Sequence, residues 1–179
     1  AGVTAHTPDP LNGKIQRDAS GAPTGILFES AMELVSQAVP SPTEEQSIEA
    51  IRAAQPVLWG MGLTGAHDFD RRRCFISLQA LRASDELRLR VVKSIPVEDL
   101  PFAAGVGLQS GFGDDFLRIG HVKIFADGAL GPNTAAMFQP FEGDPDNRGL
   151  LFMDAEEILE HGRAAAENGL GLVIHAIGD

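Results

Sequence analysis

Gly120-His121-Val122-Lys123-Ile124-Phe125-Ala126-Asp127 is the stretch on which the fold of this chain turns. Its branched residues mark a buried strand, and a lysine stands in the middle of it. Strand alternation puts Lys123 on one face with Phe125 and Asp127, and Val122, Ile124 and Ala126 on the other. A buried ammonium is costly unless it is paired or used chemically. Three fates are open to Lys123 on this pattern alone. They are an ion pair with an acidic neighbour, a Schiff-base nucleophile, and a carbamylated lysine acting as a metal-bridging carboxylate.

Strands and helices alternate on either side of this stretch. Toward the N-terminus, strands are expected at residues 63–67 and 87–92, with a helix at 75–81 between them and a shorter helix after Pro96. Ser41-Pro42-Thr43-Glu44 announces an earlier helix, with Ser41 as cap, Pro42 at the first helical position and Glu44 closing a capping box. Pro56 is expected to kink or interrupt that helix. Toward the C-terminus, Asp154 and Glu157 open another helix, Asn168-Gly169 ends it, and Leu172-Val173-Ile174-His175 is the last strand. The order from residue 63 is β, α, β, α, β, α, β, which points to a parallel sheet with crossover helices. Half a barrel and a doubly wound sheet both fit. Residues 1–40 are turn-rich, with short pieces such as Lys14-Ile15-Gln16 and Ile26-Leu27-Phe28, and read as a loop carrying a small hairpin. Residues 41–179 form the α/β part of a single, incomplete domain.

Of the 179 residues, 44% are hydrophobic and 22% charged, a composition typical of globular chains. No apolar run approaches the roughly 20 residues of a spanning helix, so no membrane role is expected. Fourteen Lys and Arg against 25 Asp and Glu give a formal charge of -11, which argues against nucleic acid as a partner. The lone Cys74 forms no internal disulfide and no cysteine-pair zinc site, and it reads as a helix-packing thiol. A reducing, cytoplasmic setting is expected from that. The opening Ala1-Gly2-Val3-Thr4 lacks an initiator Met, and Asp179 follows at once on a strand-like run. Both ends are read as those of an internal piece of a longer protein.

In parallel α/β folds, chemistry collects at the carboxyl ends of the strands. Four places qualify: His67-Asp68, Lys93-Ser94, Lys123 with Asp127, and His175 with Asp179. His175 ends a strand one βα unit after Lys123, and a neutral imidazole there can ligate a divalent metal. His67-Asp68-Phe69-Asp70 has no H-x-H spacing and reads equally as a polar loop, with Asp68 facing away from His67. His6, His121 and His161 show no ligand spacing, and His161 is expected to face solvent. The segment 128–149 exceeds the 12 to 15 residues or so at which an irregular loop becomes suggestive of function. Phe138, Pro140 and Phe141 suit a substrate wall, and Asn133, Asp146, Asn147 and Arg148 suit polar contacts. A plain surface excursion held by Asx turns is the alternative.

Three stretches together resemble the metal-dependent amidohydrolase superfamily. They are 122–131, Asn147-Arg148-Gly149-Leu150-Leu151, and Ile174-His175-Ala176-Ile177-Gly178-Asp179. Within it, the group of N-substituted formamide deformylase and the exoenzyme regulatory proteins is most similar. Thr7-Pro8-Asp9-Pro10, Pro23-Thr24-Gly25 and Gly62-Leu63-Thr64-Gly65-Ala66-His67-Asp68 also look like that group.

The resemblance implies a partial (β/α)8 TIM-type barrel, about strands 2–5, preceded by an inserted hairpin. It also implies metal ligation by a carboxylated Lys123 and by His175. The family's H-x-H pair and its catalytic Asp would lie outside this chain. The implied cofactor is one or two divalent ions, expected to be zinc, and the implied substrate a small-molecule amide or formamide, cleaved at its C–N bond. His67, Asp127, Asn133 and Phe141 are the expected substrate-binding positions. Two departures bear on specificity: Pro132-Asn133-Thr134 stands where the family often has Ser-Arg-Thr, and Pro140-Phe141 replaces Pro-Tyr. The chain alone is expected to be inactive and to associate through its open barrel edges. A Schiff-base aldolase using Lys123 and a non-catalytic regulatory barrel are the competing classes.

Overall fold

A computed structural model describes residues 1–179. Four strands, β3 (Gly65–Asp68), β4 (Arg90–Pro96), β5 (Leu117–Phe125) and β6 (Gly171–His175), make one sheet in sequence order. The β3–β4 and β4–β5 pairs are parallel. A separate antiparallel hairpin joins β1 (Gly13–Arg17) to β2 (Pro23–Glu29). The helices are a single turn α1 (Glu33–Ser36), then α2 (Glu44–Gly60), α3 (Arg72–Ala83), α4 (Leu100–Gly105) and α5 (Ala155–Glu167). No helix is long and apolar enough to cross a membrane.

The N-terminus of α2 lies two residues beyond the expected cap. Thr43, not Ser41, takes the cap position: its hydroxyl accepts the Gln46 N–H at 3.2 Å while the Gln46 side chain accepts the Thr43 N–H at 2.8 Å. Nor does Pro56 interrupt the helix, which runs on to Gly60. Leu58 beyond it packs on the same cluster as Ile48 and Ile51, so the apolar face continues through the missing backbone bond.

Two compact units make up the chain. One comprises Ala1–Ser41, Phe125–Asp154 and His175–Asp179; the other comprises Pro42–Ile124 and Ala155–Ile174. The hairpin and the 128–149 segment both belong to the first of these units. A direct tie is the Thr134 hydroxyl, which donates to Glu29 Oε1 at 2.5 Å.

The second unit holds both apolar clusters. Leu78, Leu81, Leu87, Leu89, Val91 and Leu117 form one; Ile95, Leu100, Ala103, Ile119, Val122, Ala165 and Leu170 form the other. Burying each of the larger side chains stabilises the fold by about 1.5–3 kcal/mol. Alternation along β5 is as the sequence implies: Val122 and Ile124 are fully buried, whereas Phe125 is 51% exposed. Lys123 is half-buried rather than buried, because only the Val122–Ile124 face of its strand is closed by helices. A register shift interrupts the β4–β5 ladder, from Lys93↔Ile119 to Ile95↔Val122, so that Ser94 stands opposite both Gly120 and His121. Such a bulge re-aims the side chains that follow it.

Candidate functional site

In the first unit, Asp127 lies two residues beyond the end of β5 and is 3% exposed. Its carboxylate accepts three backbone N–H groups: Ile177 on Oδ1 at 2.9 Å, with Gly178 at 2.7 Å and Ala136 at 3.0 Å on Oδ2. Burial by itself would raise this carboxyl. The three amides, with His175 nearby, outweigh that and hold it below its ordinary value. Both oxygens are thus engaged in fastening the 128–149 segment to the chain that leaves β6. The Ala126 N–H adds a bond to the His175 carbonyl at 2.8 Å, and the Phe138 N–H donates to Asp179 Oδ1 at 2.7 Å.

The 128–149 segment is folded on itself. Backbone bonds run from Thr134 to Ala129 (2.9 Å), Leu150 to Thr134 (2.8 Å), Met137 to Arg148 (2.8 Å) and Phe141 to Asn147 (2.9 Å). Gly149, at φ +75°, lets two arms of the segment meet, since a Cβ there would lie 1.8 Å from the Ala135 carbonyl oxygen. Asn133 is exposed in the left-handed region at φ 56°, and its carbonyl accepts the Asn147 amide at 3.1 Å. Phe141 is half-buried and Phe138 is 72% exposed.

His175 Nε2 lies 2.8 Å from the Gly128 carbonyl oxygen. A carbonyl only accepts, so Nε2 carries a proton toward it, and Nδ1 is the nitrogen left to face a ligand. Metal-binding imidazoles are commonly oriented in this way, through the nitrogen that does not ligate.

The second unit places the other expected residues. His67 is exposed, stacked on His121 with centroids 6.1 Å apart and on Phe69 at 6.4 Å. The Lys123 ammonium sits 5.1 Å from the Phe69 ring centroid, a cation–π distance. Burial pushes the pKa of Lys123 down. His161 is half-buried, not solvent-facing as its helix pattern suggested.

Asp68, Asp70 and Cys74 offer three donor atoms within 4.8 Å of one another. This group does not suit a metal, because the Lys93 ammonium already sits against its Asp68 carboxylate. Lys93 Nζ lies 2.7 Å from Asp68 Oδ2 and donates as well to the Asp70 carbonyl. Burial, with Asp68 and Asp70 close by, pushes the Cys74 thiol up to about 12, so it stays protonated and binds metal poorly. The buried Lys93–Asp68 pair was not anticipated from the sequence. The signal available was a lysine inside Val91-Val92-Lys93-Ser94-Ile95, registered against Asp68 one strand earlier.

The model of the amidohydrolase family described as "Amidohydro_3" matches residues 1–179. The putative amidohydrolase YtcJ of Bacillus subtilis is 35% identical over all of this chain and 34% of its own length. The N-substituted formamide deformylase of Arthrobacter pascens is 29% identical over 99% of this chain and 34% of its own. The chain thus spans about a third of the length of these curated relatives. Among solved structures, an uncharacterized metal-dependent hydrolase from Pyrococcus horikoshii superposes with a TM-score of 0.75 at 30% identity, covering 91% of this chain and 34% of that one. The four-stranded parallel sheet is accordingly part of a (β/α)8 barrel, not of a doubly wound sheet. Matched along its whole length by the family model, this chain belongs to the amidohydrolase family.

Proposed function

We propose that this chain carries part of the active site of a metal-dependent hydrolase that cleaves the C–N bond of a small amide or formamide. Lys123 and His175 are its two metal ligands in this reading. What carries it is the His175 imidazole, whose Nε2 is tied to the Gly128 carbonyl, leaving Nδ1 as the nitrogen for a ligand. Lys123 is near the carboxyl end of β5 and His175 ends β6. The donor chemistry fits a borderline divalent ion such as zinc: an imidazole and a lysine whose pKa burial pushes down.

A divalent cation bound there polarises a carbonyl and acidifies a water. The lysine must first become an anionic ligand. Its neutral Nζ attacks carbon dioxide, forming an N–C bond; one C=O electron pair moves to oxygen, and the amine proton leaves to solvent. Asp127 positions rather than reacts, since both its oxygens hold backbone amides beside His175. Asn133 and Phe141 lie on the folded 128–149 segment, and His67 at the end of β3. These three are assigned to substrate contact.

Metal analysis of the intact protein, with hydrolysis of N-substituted formamides, tests the proposal. Lys123→Ala and His175→Ala are each expected to abolish metal-dependent hydrolysis while leaving the far-ultraviolet circular dichroism unchanged. Near-normal activity and metal content in either variant would overturn the ligand assignment. Borohydride trapping of a carbonyl compound on Lys123 would point instead to Schiff-base chemistry.

A further inference from the structure

Within the first unit, a continuous hydrogen-bond chain runs from the hairpin to the ring of His175. It begins at Glu29, the last residue of β2, whose Oε1 accepts the Thr134 hydroxyl at 2.5 Å, the length of a bond to a carboxylate. Thr134 is buried, and its Oγ1 accepts in turn the Ala129 N–H at 3.0 Å. That N–H and the Gly128 carbonyl belong to one peptide plane, and the carbonyl accepts the His175 Nε2 proton at 2.8 Å. Every donor points the same way, from the imidazole toward the carboxylate. The chain is built at a local cost. Glu29 lies at φ 50° and ψ -127°, a strained conformation for any residue with a side chain. A Cβ on residue 128 would stand 2.4 Å from the Thr134 hydroxyl oxygen, so the close approach needs the glycine found there.

We infer that Glu29 is a positioning residue for His175, acting through the Thr134 hydroxyl and the Gly128–Ala129 peptide. The inference rests on the reading of His175 as a metal ligand. Bonds in such a chain polarise one another. The carboxylate draws on the Thr134 proton, the hydroxyl oxygen becomes a better acceptor, and the peptide carbonyl becomes more negative. A more negative carbonyl holds the Nε2 proton more firmly and leaves Nδ1 a stronger donor. Metal-binding histidines commonly lean on a carboxylate or a carbonyl through the nitrogen that does not ligate. Here the carbonyl makes that contact, and the carboxylate stands behind it. The Nε2 proton stays in place when Nδ1 ligates, so the chain is the same with or without metal.

Glu29 is half-buried, so Glu29→Gln, which keeps the shape and removes only the charge, is expected to leave the fold intact. In the metal-stripped intact protein titrated with zinc against a chelator, Thr134→Val breaks the chain and is expected to weaken affinity about tenfold, the low end for a group supporting a ligand. Glu29→Gln is expected to weaken it by a smaller factor. Thr134→Ser restores the hydroxyl and is expected to bind zinc as wild type does. In zinc-loaded protein labelled with nitrogen-15 histidine, the His175 Nε2–H proton resonance is expected to move upfield in Glu29→Gln. A merely structural Glu29 would leave that resonance in place. If His175→Ala loses zinc while Glu29→Gln keeps either its affinity or its resonance unchanged, this inference falls and the metal reading stands. If His175→Ala itself binds zinc normally, the metal reading falls and takes the inference with it. Loss of affinity in Thr134→Ser equal to that in Thr134→Val would also overturn a role for the hydroxyl chain.

Discussion

Replacing Lys93 by Met tests the arrangement that holds the end of β3 to β4. The Lys93 side chain is 4% exposed and that of Asp68 13%, with 2.7 Å between the charged atoms. Removing one member of a buried pair costs about 3–5 kcal/mol, because the other charge is left unpaired. Asp68 keeps two weaker partners, the Asp70 N–H at 3.2 Å and the Cys74 thiol at 3.5 Å, and retains some contact with water. The lower end, about 3 kcal/mol, is therefore expected. With a urea m-value of about 2 kcal/mol/M, the unfolding midpoint should drop by roughly 1.5 M. The double variant Lys93→Met/Asp68→Leu strands no charge and should recover to within about 1 kcal/mol of wild type. Urea unfolding followed by circular dichroism, with all four members of the cycle, measures the coupling. A loss below about 1 kcal/mol in Lys93→Met, or a double variant as weak as the single, would refute the argument that stranded charge sets the cost.

The Cys74 thiol, pushed up to about 12, should be nearly inert. At pH 8 only about one part in 10,000 is thiolate, so alkylation by iodoacetamide should run on the order of a thousandfold slower than for an ordinary thiol. Asp127→Ala leaves three backbone N–H groups without their acceptor and should cost at least about 3 kcal/mol in urea unfolding. Asp127→Asn, with one acceptor oxygen left, should cost less. The same carboxylate gives stability a pH dependence. Its folded value lies below the ordinary 3.8, so its contribution is fully present above that value and is lost as pH falls through the folded one. Acid unfolding of Asp127→Asn should show a shallower slope in that window than wild type. Gly149→Ala introduces a Cβ at φ +75° against the Ala135 oxygen and should cost about 2 kcal/mol or more. Faster hydrogen exchange at the Thr134 and Leu150 amides would report it.

The backbone order was legible because its signal is local. Val122 and Ile124 alternate with Lys123, and Leu172-Val173-Ile174 forms a short apolar run before His175; both sit where strands are found. The start of α2 was missed by two residues because Ser41 and Thr43 are both competent caps, and the choice falls to Gln46, which reaches back to Thr43. The 128–149 segment looked irregular because its order comes from contacts that no periodicity encodes. Arg148 and Met137 meet across it, and Ala135 is buried against Gly149. The pairing of Lys93 with Asp68 escaped notice for the opposite reason. The two are 25 residues apart, and only the parallel register brings them side by side. The charged residues that strand patterns make conspicuous are the ones with an unusual neighbour in sequence, whereas those that fix a site have an unusual neighbour in space.

That difference bears on how the His175 end is built. The imidazole, the Asp127 carboxylate and the 128–149 segment lie in one compact unit, and each constrains the next. Asp127 holds Ile177 and Gly178, so the chain beyond His175 has a fixed path; Ala126 bonds the His175 carbonyl, so its backbone cannot rotate freely; Gly128 accepts the Nε2 proton, so its ring cannot flip. Gly178 lets this happen at close quarters, for a Cβ there would stand 1.8 Å from the Ala136 oxygen. A ligand fixed by three independent bonds loses little entropy when a metal binds, and what is not lost to ordering goes into affinity. On that argument Gly178→Ala, which touches neither proposed ligand, should push Ala136 away from Asp127 and loosen His175. Zinc affinity should fall about tenfold or more, while Lys123 can still be carbamylated at saturating zinc. Unchanged zinc affinity in a Gly178→Ala protein that remains folded would show that His175 is held by something other than this network.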